Sequence, residues 1–276
     1  MKRVLSFMVA LIAIITLVGC SSDNRETFTV GLECAYPPFN WVETKKTATN
    51  YPIENLPSGY AEGYDVQISK RVAEALGRRL VIKMIDWDGL ASALLAGEID
   101  AIVAGMSPTE ERKETIDFTA AYYTSNHVAV VKAGSSYVNA TTLSDLAGAV
   151  GVGQSGTIYA DLVDHMVSEY NCTKIANRKT APLCVNNILN NEADFTIFEK
   201  PVALGYVAND PRLVMLFGNV DNIFDLSDED RDVAIGIRKE DTELKSEINH
   251  ILETIGTDTR ETLMATAVEN SPVGDE

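Results

Sequence analysis

The stretch from Ile99 to Glu114 reads IDAIVAGMSPTEERKE. Its first half is a short apolar run of the kind that forms a buried strand. Its second half carries helix-start chemistry, with Ser107 at the N-cap, Pro108 at the first helical position and Glu110 three residues after the cap. Gly105 turns the chain between the two. A plain strand–helix junction accounts for this pattern, and so does an anion-binding corner. A helix N-terminus offers free N–H groups and the positive end of its dipole, and glycine lets a ligand approach the backbone. Arg112, one turn in, adds a planar fork that can hold a carboxylate. Otherwise it is a solvated charge beside Glu110 and Glu111.

The same logic extends along the chain. FTVGLE, from Phe28, reads as a strand, and GYDVQISKRVAEALG as a helix stopped by Gly77. RLVIKMI is a strand, WDGLASALLAGEI a helix and DAIVAG a strand. Between them, 42–60 is rich in Thr, Asn, Pro and Ser and reads as an extended loop. After Phe118 a long extended segment, YYTSNHVAVVKAG, leads to a second set: AVGVG, the helix TIYADLVDHMVSEY, TKIA, the helix APLCVNNILNNEA and DFTIF. VAIGIRK and the amphipathic EDTELKSEINHILETIG come last. Strands alternating with helices predict an α/β fold with mostly parallel sheets. Two such units joined by extended crossings leave a cleft between them.

The second unit contains GVGQSGT, residues 151–157, a GxGxxG that opens a helix. A dinucleotide site is excluded by context, because Arg178 and Lys179 stand where a ribose-binding acid would be. A glycine-rich turn, or a second anion cradle built from Gly153, Gly156 and Thr157, remains. An ammonium would need an acid, and Glu33, Asp65 and Glu199 are the candidates. Tyr36 and Trp87 follow strands of the first unit, where their rings either pack in the core or flank a ligand.

The ends of the chain speak to compartment. Basic MKR precedes a predominantly apolar run of 16 residues, 4–19, that leads into Leu17-Val18-Gly19-Cys20. The apolar run is short for a membrane span and placed like a secretory signal. LVGC resembles a lipoprotein cleavage site, which implies a signal peptide at 1–19, lipidation of Cys20 and a stalk at 20–26. Removing Lys2 and Arg3 with the signal takes the formal charge from −17 to −19. Such a surface repels nucleic acid and anionic headgroups. Cys34, Cys172 and Cys184 allow at most one further disulfide, with Cys172–Cys184 one candidate and inert buried thiols the other reading. There is no metal-ligand spacing. His127, His165 and His250 are scattered and read as structural.

VGLECAYPPFNW, GYDVQISKRVAEALG, WDGLASALLAGEIDAIVAGMSPTEERKETIDF, VGVGQSGT and IGIRKEDTEL together resemble, in order, the extracytoplasmic solute-binding proteins of ABC importers for polar amino acids. The resemblance runs from about Phe28 to about Thr266. It implies a type II periplasmic-binding-protein fold, α/β, with two Rossmann-like lobes joined by two hinge crossings. Lobe 1 would comprise 27–124 and 233–270, lobe 2 129–222, and the crossings 125–128 and 223–232. Arg112 and Ser107 would hold the α-carboxylate, with the Ala104-Gly105-Met106 turn and, from lobe 2, Gly153, Gly156 and Thr157. Glu199 would take the ammonium. Tyr36 and Trp87 would flank the side chain, with Asp65 nearby. Glu33 lies where binders of basic amino acids place an acid, which favours lysine, arginine or ornithine. Ala104 and Ile158 fall where relatives often present polar side chains.

The resemblance further implies no cofactor, an ABC permease as partner, a monomer, and a location outside the cytoplasmic membrane, held there by lipid. Other readings on the same fold are a binder of glutamine or cystine, a dehydratase or hydrolase of small acids, and a sensor.

Overall fold

The protein is described by a computed structural model covering residues 25–272. The signal segment and Cys20 lie outside the described residues. The first sheet runs, in spatial order, Arg79–Met84, Thr27–Leu32, Ala101–Ile102, Asp232–Ile237, Asp117–Thr124. The second runs Thr173–Lys174, Val150–Gly151, Phe195–Glu199, His127–Lys132, Leu213–Leu216. In each sheet the first three strands are parallel. The strands that carry the chain between lobes run antiparallel to their neighbours. The sheets are therefore mixed rather than mostly parallel. A crossing strand enters its sheet directly from the other lobe, with no helix to reverse it.

Sequence pattern explains the central strands. Phe28, Val30 and Leu32 are buried in the first sheet, as are Phe195, Ile197 and Phe198 in the second. Strands covered on both faces tolerate such continuous apolar runs. The helix Tyr64–Ala75 buries Val66, Ile68, Val72 and Ala73, the stripe visible in GYDVQISKRVAEALG.

Local structure differs from the sequence reading in four places. The 42–60 segment is partly β: Ala35–Tyr36, Asn40–Glu43, Tyr60–Glu62 and Tyr51–Pro52 form a small sheet. These strands are too short to show a period-two pattern. The helix after Gly105 spans only Glu110–Lys113, and Thr109, not Ser107, caps it by accepting from the Arg112 N–H at 3.4 Å. Ser107 precedes a proline, which biases it to extended backbone. Lys200–Asn209 and Leu213–Leu216 form a helix and a strand not read from the sequence. A last helix, Thr257–Glu269, follows the Gly256 break and packs against both Tyr64–Ala75 and Lys200–Asn209, so it bridges the lobes. All three described cysteines are free and buried, so Cys172 and Cys184 are not bonded to each other.

The crossings lie side by side. The Ser125 N–H donates to the Arg231 carbonyl at 3.0 Å, and Arg231 Nη2 donates to Asn126 Oδ1 at 2.7 Å. Both lobes thus turn their strand carboxyl ends toward one cleft, where ligands of open α/β sheets bind.

Candidate functional site

Three strand ends place the side chains around the cleft. Glu33 follows Thr27–Leu32, Trp87 follows Arg79–Met84, and Glu199 ends Phe195–Glu199. Glu33, Tyr36, Trp87, Gly105, Ser107 and Arg112 line the centre from the first lobe. Gln154, Thr157, Ile158 and Tyr159 line it from the second. The space they enclose is about 10 Å³, on the scale of one water molecule. In this closed form the two walls touch, and an amino acid has to replace their contacts with its own.

Those contacts sort by charge. Arg112 Nη1 donates to the Ser107 carbonyl at 2.8 Å within its own lobe, and Nη2 reaches the Gly156 carbonyl across the cleft at 3.1 Å. Trp87 Nε1 donates to the same carbonyl at 2.9 Å, and the guanidinium lies 5.2 Å from the Trp87 ring centroid. Burial lowers the Arg112 pKa, because the cleft withholds the water that would solvate the cation. An anion placed at this fork would relieve that cost.

On the far side, Glu199 is 1% exposed. Tyr36 of the first lobe donates to its Oε2, and the Tyr36 and Tyr159 hydroxyls stand 2.7 Å apart. Glu199 Oε1 has no partner among the described residues. Burial raises the Glu199 pKa, opposed by the two tyrosines. A buried acid with an unmet acceptor suits a cationic donor such as an ammonium.

Glu33 forms the third group. Gln154 Nε2 donates to its Oε1 at 2.9 Å across the cleft. Burial, together with the charges of Asp86 and Asp88, raises its pKa to about 7 despite that bond.

The remaining sequence candidates lie in the walls. Gly105 has φ of 62°, and a Cβ there would sit 3.1 Å from the Tyr36 ring. Thr157 Oγ1 donates to the Gln154 carbonyl at 2.7 Å, which folds the 154–157 turn. Gly153 lets the helix Ile158–Glu169 approach, since a Cβ would come within 2.6 Å of Ala160 Cα. Ala104 packs in the first-lobe core, and Met106 faces an outer basin of about 840 Å³. Asp65 stands behind the Gly105 turn, accepting from Tyr122 at 2.6 Å and Asn40 at 2.8 Å, and does not line the centre. Gln154 and Tyr159 were not anticipated as site residues. Tyr159 follows Thr157 at a helix start and was visible only as part of an apolar helix; Gln154 was hidden inside GxGxxG. No group of three or more His, Cys, Asp or Glu among the described residues is placed to hold a metal.

A family model, that of the bacterial extracellular solute-binding proteins, family 3, matches residues 28–266. The arginine-binding extracellular protein ArtP of Bacillus subtilis is 31% identical over 260 residues, covering 92% of each chain. A solved structure of ArgBP from T. maritima, a mutant form, is 30% identical with a TM-score of 0.71, covering 88% of this chain and 96% of that one. The amino acid ABC transporter substrate-binding protein AbpA of Streptococcus pneumoniae, bound to L-arginine, has a TM-score of 0.73 at 22% identity, covering 88% and 94%.

Proposed function

Because the chain belongs to the bacterial extracellular solute-binding proteins of family 3, we propose that it captures a basic amino acid in the interlobe cleft and hands it to an ABC permease. The observation that carries this reading is charge placement. One half-buried cation, Arg112, and one buried acid, Glu33, face the same closed space, and a second buried acid, Glu199, stands behind its Tyr36 and Tyr159 wall. That set complements a zwitterion with an additional distal cation. Arg112 takes the carboxylate in place of the Gly156 carbonyl, with Ser107, Gly105 and Thr157 beside it. Glu199 takes the ammonium in place of Tyr36. Glu33 takes the distal cation in place of Gln154, and Trp87 and Tyr36 cover the aliphatic stem. Relatives named for arginine support the same ligand class.

The lobes, 27–124 with 233–270 and 129–222, close by hinging at 125–128 and 223–232. A ligand that bridges them shifts the population toward the closed form, which the permease recognises. The mature protein acts as a monomer, anchored outside the cytoplasmic membrane through lipid on Cys20. It binds without turnover and needs no cofactor.

A second reading has one specific observation behind it. Glu33 already accepts a carboxamide N–H, from Gln154, so a neutral ligand such as glutamine could present the same group. Calorimetry on the mature chain, unfolded and refolded to strip carried ligand, decides between them. Tight binding of arginine, lysine or ornithine supports the basic reading. Binding of glutamine or cystine alone overturns the role given to Glu33, and no binding by any amino acid overturns the transport reading.

A further inference from the structure

Gln154 is 2% exposed and belongs to the second lobe, yet its side chain meets the acid that the first lobe presents. Its Nε2 donates to two oxygens, Glu33 Oε1 at 2.9 Å and the Lys179 carbonyl at 3.0 Å. A carboxylate and a backbone carbonyl both accept. The amide orientation is therefore fixed by its partners: both protons are committed, and the oxygen is an acceptor. Among the described residues no donor is placed on that oxygen or on Glu33 Oε2, and neither is a fully buried atom, so both stay open to an incoming donor. Covalent geometry holds the amide oxygen within roughly 5 Å of the Glu33 carboxylate. The Lys179 carbonyl and the Thr157 hydroxyl bond to the Gln154 carbonyl clamp this residue from both ends, so its amide is presented by a fixed turn.

We propose that Gln154 is a specificity-determining residue of the distal subsite: its amide oxygen and the Glu33 carboxylate form a paired acceptor that selects a guanidinium over an ammonium. This inference rests on the basic-ligand reading above and sharpens it to arginine.

The argument is one of donor geometry. A guanidinium carries five N–H groups in one plane, spread over three nitrogens. It can satisfy Glu33 with one edge and the amide oxygen with a neighbouring N–H, while Gln154 keeps its bond to Lys179. An ammonium carries three donors on one nitrogen and is strongly hydrated. It can meet Glu33, but it reaches the amide oxygen only by giving up the best position on the carboxylate. A guanidinium therefore uses both acceptors, and an ammonium uses only one of them.

The test compares the unaltered mature protein with Gln154→Leu by calorimetry against L-arginine and L-lysine at pH 8. Leucine keeps the bulk and removes the acceptor. The unaltered protein is expected to prefer arginine, and Q154L to lose about tenfold of that arginine-to-lysine ratio, the worth of one hydrogen bond. A purely structural role would lower both affinities together and leave the ratio unchanged, which would overturn the inference while the basic-ligand reading stands. Where Q154L does not fold, Gln154→Asn, which withdraws the amide by one methylene, is read by the same ratio. If the unaltered protein binds neither arginine nor lysine, the basic-ligand reading falls and this inference falls with it.

Discussion

Arg112 of the first lobe donates to the Gly156 carbonyl of the second over 3.1 Å, so the cleft's main cation is held by a neutral acceptor. A carbonyl leaves the guanidinium charge uncompensated, and burial already lowers the Arg112 pKa. The arrangement favours exchange of Gly156 for an anion. Arg112→Ala removes the only cation among the described residues that line the centre. Affinity should fall about 100-fold or more, as when one partner of a buried charge pair is truncated. Arg112→Lys should recover part of the charge but not the fork. Titration calorimetry reads both, and unchanged affinity in R112A would remove Arg112 from the site.

Glu33 sets a pH dependence whose sign follows from its raised pKa. Below about 7 its carboxyl is protonated and neutral. A distal cation binds the ionised form, so binding must release that proton. Affinity for arginine should rise with pH up to about 7, by at most about tenfold per unit, and flatten by pH 8. Without ligand the sign reverses. The folded state holds this proton more tightly than the unfolded chain, so the contribution to stability is full below 4.5 and is lost as pH rises toward 7. Glu33→Gln should abolish its share of both slopes and weaken a basic ligand far more than a neutral one. Equal loss for arginine and glutamine would end the distal-cation role.

Some of this was legible in the sequence. The strands and the helix over 64–75 show in the chain because burial imposes periodicity on every residue of an element. Arg112 and Ser107 could be placed because five residues separate them and local geometry brings them together. The sequence reading puts the cap at Ser107, but Thr109 carries the same chemistry just past Pro108 and makes the cap. Tyr36 with Glu199, and Gln154 with Glu33, are 163 and 121 residues apart. No local pattern encodes a contact made only when two lobes meet. Asp65 illustrates the reverse: an acid two residues after a glycine looked available, but the fold turns it inward onto Tyr122 and Asn40.

Gly105 ties backbone strain to the site. Its φ of 62° suits glycine, and an added Cβ would press on the Tyr36 ring at 3.1 Å. Gly105→Ala should cost about 1–2 kcal/mol in stability from the left-handed backbone. It should also displace Tyr36 from Glu199 and so alter ligand affinity. Thermal denaturation with and without arginine separates the two effects. A melting temperature and affinity both equal to those of the unaltered protein would show that the turn tolerates a side chain.

The proposed membrane attachment would depend on Cys20. No helix among the described residues is long and apolar enough to cross a membrane. The chain's net charge of −17, or −19 if Lys2 and Arg3 leave with a signal, gives no attraction to anionic headgroups. Lipid on one thiol would therefore carry the retention. Cys20→Ser should release the protein from the membrane fraction and stop incorporation of labelled fatty acid. Arginine binding should be unchanged, because the described residues that line the cleft begin at Glu33. Retention with label still incorporated in C20S would place the lipid elsewhere. Retention without label would point to a protein partner in the membrane as the anchor.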